Sequence, residues 1–505
     1  MATLLDTIAG GHLVEAHRPY PRRIVDAPLW QALGAGLHEG HWRLLGLWGE
    51  PAAVHMALLD EAAGLPAVAS LACPDGTFPS VAQYHPPASR LERALCDLTG
   101  LAATAAPDAR PWLDHGRWDL RHPLGQRLPA ATEVPPYAFL TADGEGLHQI
   151  PVGPVHAGII EPGHFRFTAN GEAVVRLEQR LGYVHKGIEA LMTGASIERA
   201  ARLAGRTSGD STVAYAWALA RAVEAALGAT VPERAVWLRA LMAELERLAN
   251  HFGDIGAICN DAAFALMLAH CGVLREQVLR AANACFGHRL MMDRVVPGGV
   301  EVAPGPLDTT PIRNLIDVAT KAFPALVKLY DNKASLQDRT VGTGIVRPAL
   351  ARQYGCGGYV GRASGLAFDA RRQLAYPPYD GLRFEVPVLR EGDVNARVWI
   401  RIREVEQSLA LVGQILKALP PDGLTRIPLA EVDGPSEGVG LVEGFRGDIL
   451  AWVRLDAGAR VGRCHLRDPS WFQWPLLEAA IEGNIVADFP LCNKSFNCSY
   501  SGHDL

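Results

Sequence analysis

The fold is decided by residues 232–252, which read PERAVWLRALMAELERLANHF. Apolar side chains recur in this stretch at intervals of three and four, the spacing that places them on one face of a helix. Pro232 suits the first turn of a helix, where its missing N–H is not needed. The stretch therefore predicts a long helix with a buried face formed by Leu241, Leu245, Leu248 and Phe252.

Two further stretches also predict long helices. Ser211 can cap a helix that runs to Leu227 and stops at Gly228, because serine accepts backbone N–H groups at a helix start and glycine readily ends a helix. A second apolar stripe ends at Pro420-Pro421, which cannot continue a helix. Its members are Ile402, Val405, Leu409, Val412, Leu416 and Leu419.

The predicted strands are short and fall in two regions. Asn170-Gly171 suits a tight hairpin between Phe165–Thr168 and Ala173–Leu177. In the first 125 residues, apolar runs are separated by turn residues and followed by a helical pattern that Ser89 can cap and Gly100 can end. The runs are Trp42–Trp48, Ala52–Leu59, Ala67–Ala72 and Val81–Tyr84, and the helix is Ser89–Leu98.

These patterns predict an α+β fold class with two domains. A small α/β domain is expected at residues 1–125. Residues 126–150 contain several prolines and form the best candidate for a linker. A mostly helical domain with small β-sheets is expected at residues 151–505.

Composition excludes several classes of protein. The 505 residues carry a net charge of −6, which is unlike a nucleic-acid reader with a basic surface. The nine cysteines are widely spaced, which is unlike a disulfide framework and fits a reducing compartment. The first residues lack the pattern of a signal peptide, and no apolar run is long enough for a transmembrane helix. We therefore expect a cytoplasmic protein that meets a membrane only through partners.

Polar residues and glycines interrupt the helical sequence in four segments, which are the candidate functional regions: 153–166, 206–211, 244–254 and 488–505. Other short motifs occur in order around them. In the second domain they are Gly153-Pro-Val-His156, Gly182-Tyr-Val-His185-Lys-Gly187, Glu244-Leu-Glu246-Arg247, Pro297-Gly-Gly-Val300 and Gly361-Arg362-Ala-Ser-Gly365, and in the first domain His85-Pro-Pro-Ala-Ser89 and Arg121-His122-Pro123.

Through these motifs the chain resembles a fusion of two neighbouring subunits of NADH:quinone oxidoreductase (complex I). The same two subunits are fused in the large subunits of energy-converting nickel–iron hydrogenases of the formate-hydrogenlyase type. The resemblance implies an oxidoreductase subunit on the cytoplasmic face of the inner membrane. It also implies three kinds of partner: a small iron–sulfur subunit, a ferredoxin-like subunit and antiporter-like membrane subunits.

The resemblance also implies where a nickel–iron centre would lie. The family supplies four thiolates as two Cys-x-x-Cys pairs, which fall here on Ser208 with Ser211 and on Cys498 with Ser501. Soft sulfur ligands hold these metals, whereas a serine hydroxyl is a hard ligand that is barely ionised at neutral pH. We therefore expect no metal at these degenerate positions and no hydrogen chemistry. Iron–sulfur clusters are expected on partner subunits, and a bound quinone is the one cofactor left open.

For quinone binding and proton transfer, the candidate residues are His156, His164, Tyr215 and Glu161. His156 matches a histidine of the quinone-reducing relatives, and His164 lies near the second histidine of that loop. Gly209 occupies the place of the quinone tyrosine, and Tyr215 is one helical turn further on. Glu161 matches a glutamate that relays protons beside the metal of membrane hydrogenases. Half-burial in an emptied cavity would raise its pKa and suit it to that task.

Structural roles explain the same residues. His156 and His164 can hydrogen-bond within a loop, and Ser208 and Ser211 can cap a helix. The charged residues of 244–254, together with Arg275 and Glu276, can form ion pairs that fix how helices meet.

Two hypotheses of function follow. In the first, the chain passes electrons from an iron–sulfur partner to a quinone or another acceptor, and Glu161 and His156 take up protons coupled to ion translocation. In the second, it is a redox-silent scaffold that links a membrane ion-translocating module to another activity, because a fold does not fix a function. The involvement of NADH belongs to the larger relatives.

Overall fold

The computed structural model describes residues 3–131, 133–157, 160–302, 306–430 and 433–505. Long helices occupy the middle of the chain, and small sheets lie before, between and after them. The predicted α+β class is therefore confirmed.

A five-stranded sheet forms the first part of the chain, in the order β1-β3-β6-β5-β4. β3 and β6 are parallel, and the other neighbours are antiparallel. A short parallel pair, β7 with β8, lies beside it. The elements are α1 Leu4–Ile8, β1 His12–Leu13, β2 His17–Arg18, β3 Arg22–Val25, α2 Ala27–His38, β4 Arg43–Glu50, β5 Ala53–Asp60, β6 Leu65–Ala72, β7 Thr77–Pro79, α3 Ser89–Thr99 and β8 Ala102–Thr104.

The prediction of a strand at Val81–Tyr84 is wrong, because these residues form turns. The buried Glu92 carboxylate on α3 accepts hydrogen bonds from Val81 N and Ala82 N, which are donors that a strand would offer to its neighbour. The expected N-cap is also wrong. A short 3-10 turn leads directly into α3, and Ser89 is the first residue of the helix rather than its cap.

A three-stranded antiparallel sheet, β11-β12-β13, confirms the predicted hairpin. Asn170 pairs with Ala173, so Gly171 and Glu172 close the turn rather than Asn170 and Gly171, and Gly171 has a positive φ of 58°. The elements from the end of the first region to this sheet are β9 Leu120–Arg121, β10 Leu128–Pro129, β11 Leu147–Val152, β12 His164–Asn170 and β13 Ala173–Arg180.

The helices then follow, and the three predicted long helices are present as α6, α7 and α14. Between residues 188 and 418 the elements are α4 Ile188–Met192, α5 Ile197–Ala204, α6 Thr212–Leu227, α7 Glu233–Asp261, α8 Ala265–Phe286, β14 Val295–Val296, β15 Gly299–Val300, α9 Thr310–Asn332, α10 Ala334–Thr340, α11 Pro348–Gln353, α12 Gly358–Ala363, α13 Ala370–Gln373 and α14 Val394–Ala418. The chain ends with β16 Ser436–Gly444, β17 Gly447–Asp456, β18 Arg460–Arg467, α15 Ser470–Ile481, α16 Phe489–Phe496 and α17 Tyr500–Asp504.

Helix α6 lies directly against strand β16. A Cβ added to Gly438 would lie 1.8 Å from the Ala222 carbonyl oxygen, and one added to Gly440 would lie 2.0 Å from that of Ala218. Only glycine allows two backbones to approach this closely. Because β16 runs towards the start of α6, this contact brings the β16–β17 turn to the first residues of that helix.

Buried contacts join the first sheet to the rest of the chain. β2 pairs in parallel with β16, which completes a four-stranded sheet β18-β17-β16-β2. The Trp48 ring lies 5.4 Å from that of Trp452 and 5.0 Å from that of His465. Arg22 and Glu437 form a buried ion pair at 2.5 Å.

Charged side chains are also buried among the helices, where they form what we call the ion cluster. Arg362 Nε lies 2.7 Å from a Glu404 oxygen, and Arg362 Nη1 lies 2.9 Å from a Glu443 oxygen. Of the α7 residues predicted to form ion pairs, Glu244, Arg247 and His251 belong to this cluster and Asp254 pairs nearby with Arg401, whereas Glu246 has no such pair among the described residues. The cluster comprises Glu244, Arg247, His251, Arg362, Asp369, Arg371, Glu404 and Glu443.

Among the described residues, no helix is both long enough and apolar enough to cross a lipid bilayer.

Candidate functional site

The turn that precedes α6 meets the C-terminal segment, residues 497–505, and we call this contact the junction. The hydroxyl oxygens of Ser208 and Ser499 are 3.0 Å apart, and both residues are buried. Ser499 also caps α17, because its Oγ accepts a hydrogen bond from Gly502 N at 2.8 Å. The structure thus brings together the two segments that carry Ser208 with Ser211 and Cys498 with Ser501.

Arg446, in the β16–β17 turn, connects the two segments. Its guanidinium nitrogens lie 2.5 and 2.8 Å from the two carboxylate oxygens of Asp210, and Nη1 donates to Ser211 Oγ at 3.3 Å. Its Nε donates to the Asn497 carbonyl oxygen at 2.5 Å. The guanidinium is therefore bonded to both sides of the junction.

Asp210 is ionised in this setting. Burial by itself would raise its pKa, but the Arg446 charge and the hydrogen bonds from Arg446, Ser208 and Ser211 outweigh burial and lower it. Its side chain is 36% exposed, whereas that of Arg446 is 5% exposed. The junction thus presents a carboxylate to solvent and keeps the cation inside.

Cys498 is the one cysteine among the four inherited positions. Its Sγ lies 3.9 Å from the Gln473 side-chain oxygen. Burial raises the pKa of this thiol well above its usual range. The sulfur is therefore a protonated thiol at neutral pH, which is a poor nucleophile and a poor metal ligand.

The two candidate histidines form hydrogen bonds with the backbone of the loop that carries them. His156 Nε2 lies 2.8 Å from the Gly163 carbonyl oxygen, and His164 Nδ1 lies 3.2 Å from that of Gly153. His156 is half-buried and His164 is buried. Burial lowers the pKa of His164 despite its hydrogen bond to Gly153, so that ring is neutral at neutral pH.

Glu161 reaches the junction from this loop. Its carboxylate accepts a hydrogen bond from Ser501 N at 2.9 Å. The side chain is exposed rather than half-buried, so the expected burial of Glu161 is wrong. Lys186 lies beside it and donates to the carbonyl oxygens of Thr207 and Ser501 at 3.3 and 3.4 Å.

Tyr215 lies behind the junction rather than in it. The residue is fully buried, and its hydroxyl donates to Asp468 at 2.6 Å. Burial, followed by the charge of Asp468, raises its pKa well above the usual range. The hydroxyl is therefore a fixed donor within the protein core.

A cavity of about 100 Å³ lies next to the junction, between α7 and α8. Gly209 and Asp210 form one end, and Glu246 and Asn250 line it from α7. The remaining lining is mostly apolar, with two arginines: Leu245, Ala249, Arg275, Val278, Leu279, Ala282, Arg289, Leu290 and Met291.

Sequence patterns do not single out Arg446, Asn497 or Ser499. The one available signal for Arg446 is its position in a polar break, Arg446-Gly447, within strand-like sequence. Ser499 and Asn497 lie within the candidate segment 488–505, but nothing local distinguishes them from their neighbours.

Comparisons with known proteins show which family this chain is similar to. The family model described as "Respiratory-chain NADH dehydrogenase, 49 Kd subunit" matches residues 261–437. The chain is 31% identical to formate hydrogenlyase subunit 5 of Escherichia coli (strain K12), over 85% of this chain and 77% of that protein. It is also 31% identical to the carbon monoxide-induced hydrogenase of Rhodospirillum rubrum, over 69% of this chain and 97% of that protein.

The fold is similar to that of a solved structure as well. A chain of the membrane-bound sulfane sulfur reductase, an archaeal respiratory membrane complex, superposes with a TM-score of 0.67 and 26% identity, covering 72% of this chain and all of that one. The chain belongs to the family of nickel–iron hydrogenase large subunits and complex I 49-kDa subunits, as its motifs indicate. Its relatives are oxidoreductase subunits, and among them are subunits of multisubunit membrane complexes.

Proposed function

We propose that this chain is the large subunit of a membrane-associated oxidoreductase that works without a nickel–iron centre. Iron–sulfur clusters on a small partner subunit and a ferredoxin-like partner would supply electrons. The junction would pass them to a quinone or another acceptor, and antiporter-like membrane subunits would couple the reaction to ion translocation on the cytoplasmic side. The similarity to hydrogenase subunits and to a respiratory membrane complex supports this assignment.

The residues at the junction do not fit a nickel–iron centre, and this observation carries the proposal. The four inherited positions offer one protonated thiol and three hydroxyls in place of four thiolates. The Arg446 guanidinium reaches Ser211 and Asp210, so a positive charge already lies at one of the positions. No step of the proposed reaction runs through such a metal.

We further propose that the acceptor binds where the His156 loop faces a partner subunit. The cavity of about 100 Å³ is smaller than the roughly 300–1,000 Å³ typical of ligand pockets, so a ring-sized carrier needs room outside it. Val155, next to His156, is 85% exposed, so an apolar side chain of this loop is available to a partner or an acceptor. Glu161 and His156 would take up protons at this surface. His164 would hold the loop in place, and Tyr215 would act only through Asp468.

A redox-silent scaffold is the second candidate, and one observation favours it. The polar side chains of the junction bond to one another, as Ser208 does with Asp210 and Asp210 does with Arg446. Such an arrangement holds two segments together without any acceptor.

Metal analysis of the intact complex tests the loss of the nickel–iron centre. We expect nickel far below one atom per chain and no hydrogen uptake or evolution, because three of the four thiolates are replaced. Inductively coupled plasma mass spectrometry and a hydrogen electrode give the two readings, with the Escherichia coli formate hydrogenlyase complex as the positive control. Stoichiometric nickel in this complex would contradict the proposal.

Electron transfer to quinones and other acceptors separates the two candidates. We expect Glu161→Gln and His156→Ala to lower turnover by about tenfold or more, in keeping with the hundredfold scale of general acid–base groups. Glu406→Gln, an exposed carboxyl on α14, is the matched control and should leave turnover unchanged. Equal turnover in wild type and both variants, or none in wild type with any acceptor, would favour the scaffold.

A further inference from the structure

Glu246 is a buried carboxyl on α7 that faces the first turn of α6. Its two oxygens accept hydrogen bonds from Val213 N at 2.7 Å and Ala214 N at 3.1 Å. These two residues lie two and three positions after Ser211, in the first turn of α6, so Glu246 contacts the helix that the junction begins. The residue is only 7% exposed.

Glu246 differs from the other buried carboxylates of its helix. Glu244 pairs with Arg371 at 2.9 Å, and Asp254 pairs with Arg401 at 3.0 Å. Within the part of the chain that the structure describes, Glu246 has no arginine, lysine or histidine nitrogen within 4.0 Å. A buried carboxylate without a cation is costly, and the usual response is to bind a proton.

Burial favours the protonated form of Glu246. Burial outweighs the two backbone hydrogen bonds, which lower the pKa, and with smaller opposing effects of Asp210 (raising) and Arg247 (lowering) the pKa of Glu246 is raised to about 8. Other charged groups around the cavity are few. Arg275 reaches it from α8, Arg289 from the loop after α8, and Arg446 offsets Asp210 from the β16–β17 turn.

The cavity gives this carboxyl access to solvent. Glu246 and Asn250 line its wall, and Asn250 donates a hydrogen bond to the Asp210 carbonyl oxygen at 2.7 Å. Arg275 and Arg289 also line the cavity, and both are exposed. A cavity of about 100 Å³ has room for a few water molecules, and Glu246, Asn250, Arg275 and Arg289 offer them polar partners within a mostly apolar lining. The same cavity is thus lined by Glu246, by the exposed arginines beside α8 and by Asp210 of the junction.

We propose that Glu246 carries protons from solvent in this cavity to the junction, a role that rests on the proposed function. When electrons from the iron–sulfur partner reduce the acceptor at the His156 loop, the O–H bond of Glu246 breaks and its proton passes through the junction to the reduced acceptor. The resulting carboxylate then regains a proton from cavity water, which is restored from bulk solvent. This route is separate from Glu161, which reaches the junction from the exposed loop.

Protonation is tested without any turnover by melting the full chain and its Glu246→Gln variant from pH 5 to pH 9. An unfolded glutamate loses its proton near about pH 4.3. Between that pH and about 8 the folded wild type holds a proton that the unfolded chain has lost, so its stability falls as pH rises. Glutamine does not titrate, so we expect the variant's melting temperature to rise relative to wild type as pH increases. A difference that is constant with pH would overturn the proposal.

Proton delivery is tested by the pH profile of electron transfer in the intact complex. Glu246→Gln should lower turnover by about a hundredfold and remove the wild-type inflection near pH 8, and Glu246→Asp should restore part of the rate. The Glu406→Gln control should match wild type. Unchanged turnover and profile in Glu246→Gln would overturn this inference and leave the proposed function standing. Absence of wild-type turnover at every pH would instead overturn the proposed function, whatever the melting curves show.

Discussion

Arg362→Met is expected to lower the free energy of unfolding by about 3–5 kcal/mol, the scale for breaking a buried ion pair. Arg362 is fully buried between Glu404 and Glu443. Without its charge, these carboxylates face each other with less compensation in a region that excludes water. Urea unfolding of the full chain at neutral pH measures the loss. Since domains are stable by only about 5–15 kcal/mol, the effect should also reduce the yield of folded protein.

Arg280→Met is the matched control for this substitution. Arg280 also pairs with a glutamate, Glu276, but its side chain is 77% exposed, so we expect a change within about 0.5 kcal/mol. Arg362→Lys keeps the charge but loses the forked geometry of the guanidinium. Its loss of unfolding free energy should lie between those of Arg362→Met and Arg280→Met. If Arg362→Met unfolds at the same urea concentration as Arg280→Met, the ion cluster does not stabilise the fold.

Trp48→Ala is the second substitution with a large expected effect, at about 3–5 kcal/mol. Trp48 is buried where the first sheet meets the rest of the chain, against Trp452 and His465. Alanine would leave a cavity at this contact. We expect one cooperative unfolding transition in both proteins, shifted to lower urea in the variant, because the two regions share β2 and buried ion pairs.

Trp42→Ala provides the comparison for Trp48→Ala within the same region. Trp42 is half-buried, so a smaller loss is expected. Two separate transitions, of which Trp48→Ala shifts only one, would show that residues 1–125 fold on their own and that the contact adds little.

The elements with strong local signals could be predicted from the sequence, and the physical reason is the same in each case. The apolar stripes of α7 and α14 repeat over many turns, so neighbouring residues alone determine the buried face. At Val81–Tyr84 the local pattern is misleading, because a side chain from another element, Glu92, takes the backbone donors. Short apolar runs carry too little information to reveal such a competitor.

In the candidate site, too, some residues could be predicted from the sequence and others could not. The family resemblance indicated Ser208, Ser211, Cys498 and Ser501, but local sequence gave no reason to connect Arg446 with Asp210. These two residues are 236 positions apart, and their contact depends on the close approach of α6 and β16 at two glycines. Glu246 was expected to form an ion pair, and its lack of a nearby cation in the described residues is a property of three-dimensional packing alone.

The pairing of β2 with β16 has a consequence for synthesis on the ribosome. Arg22 and its partner Glu437 on β16 are 415 residues apart. At a translation rate of about 5–20 residues per second, β16 is therefore synthesised roughly 20–80 s after the segment that contains β2 and Arg22. During that time the backbone groups of β2 lack their partner strand, and such unpaired groups invite pairing with other chains. Holding chaperones should therefore bind the emerging amino-terminal region until translation is nearly finished.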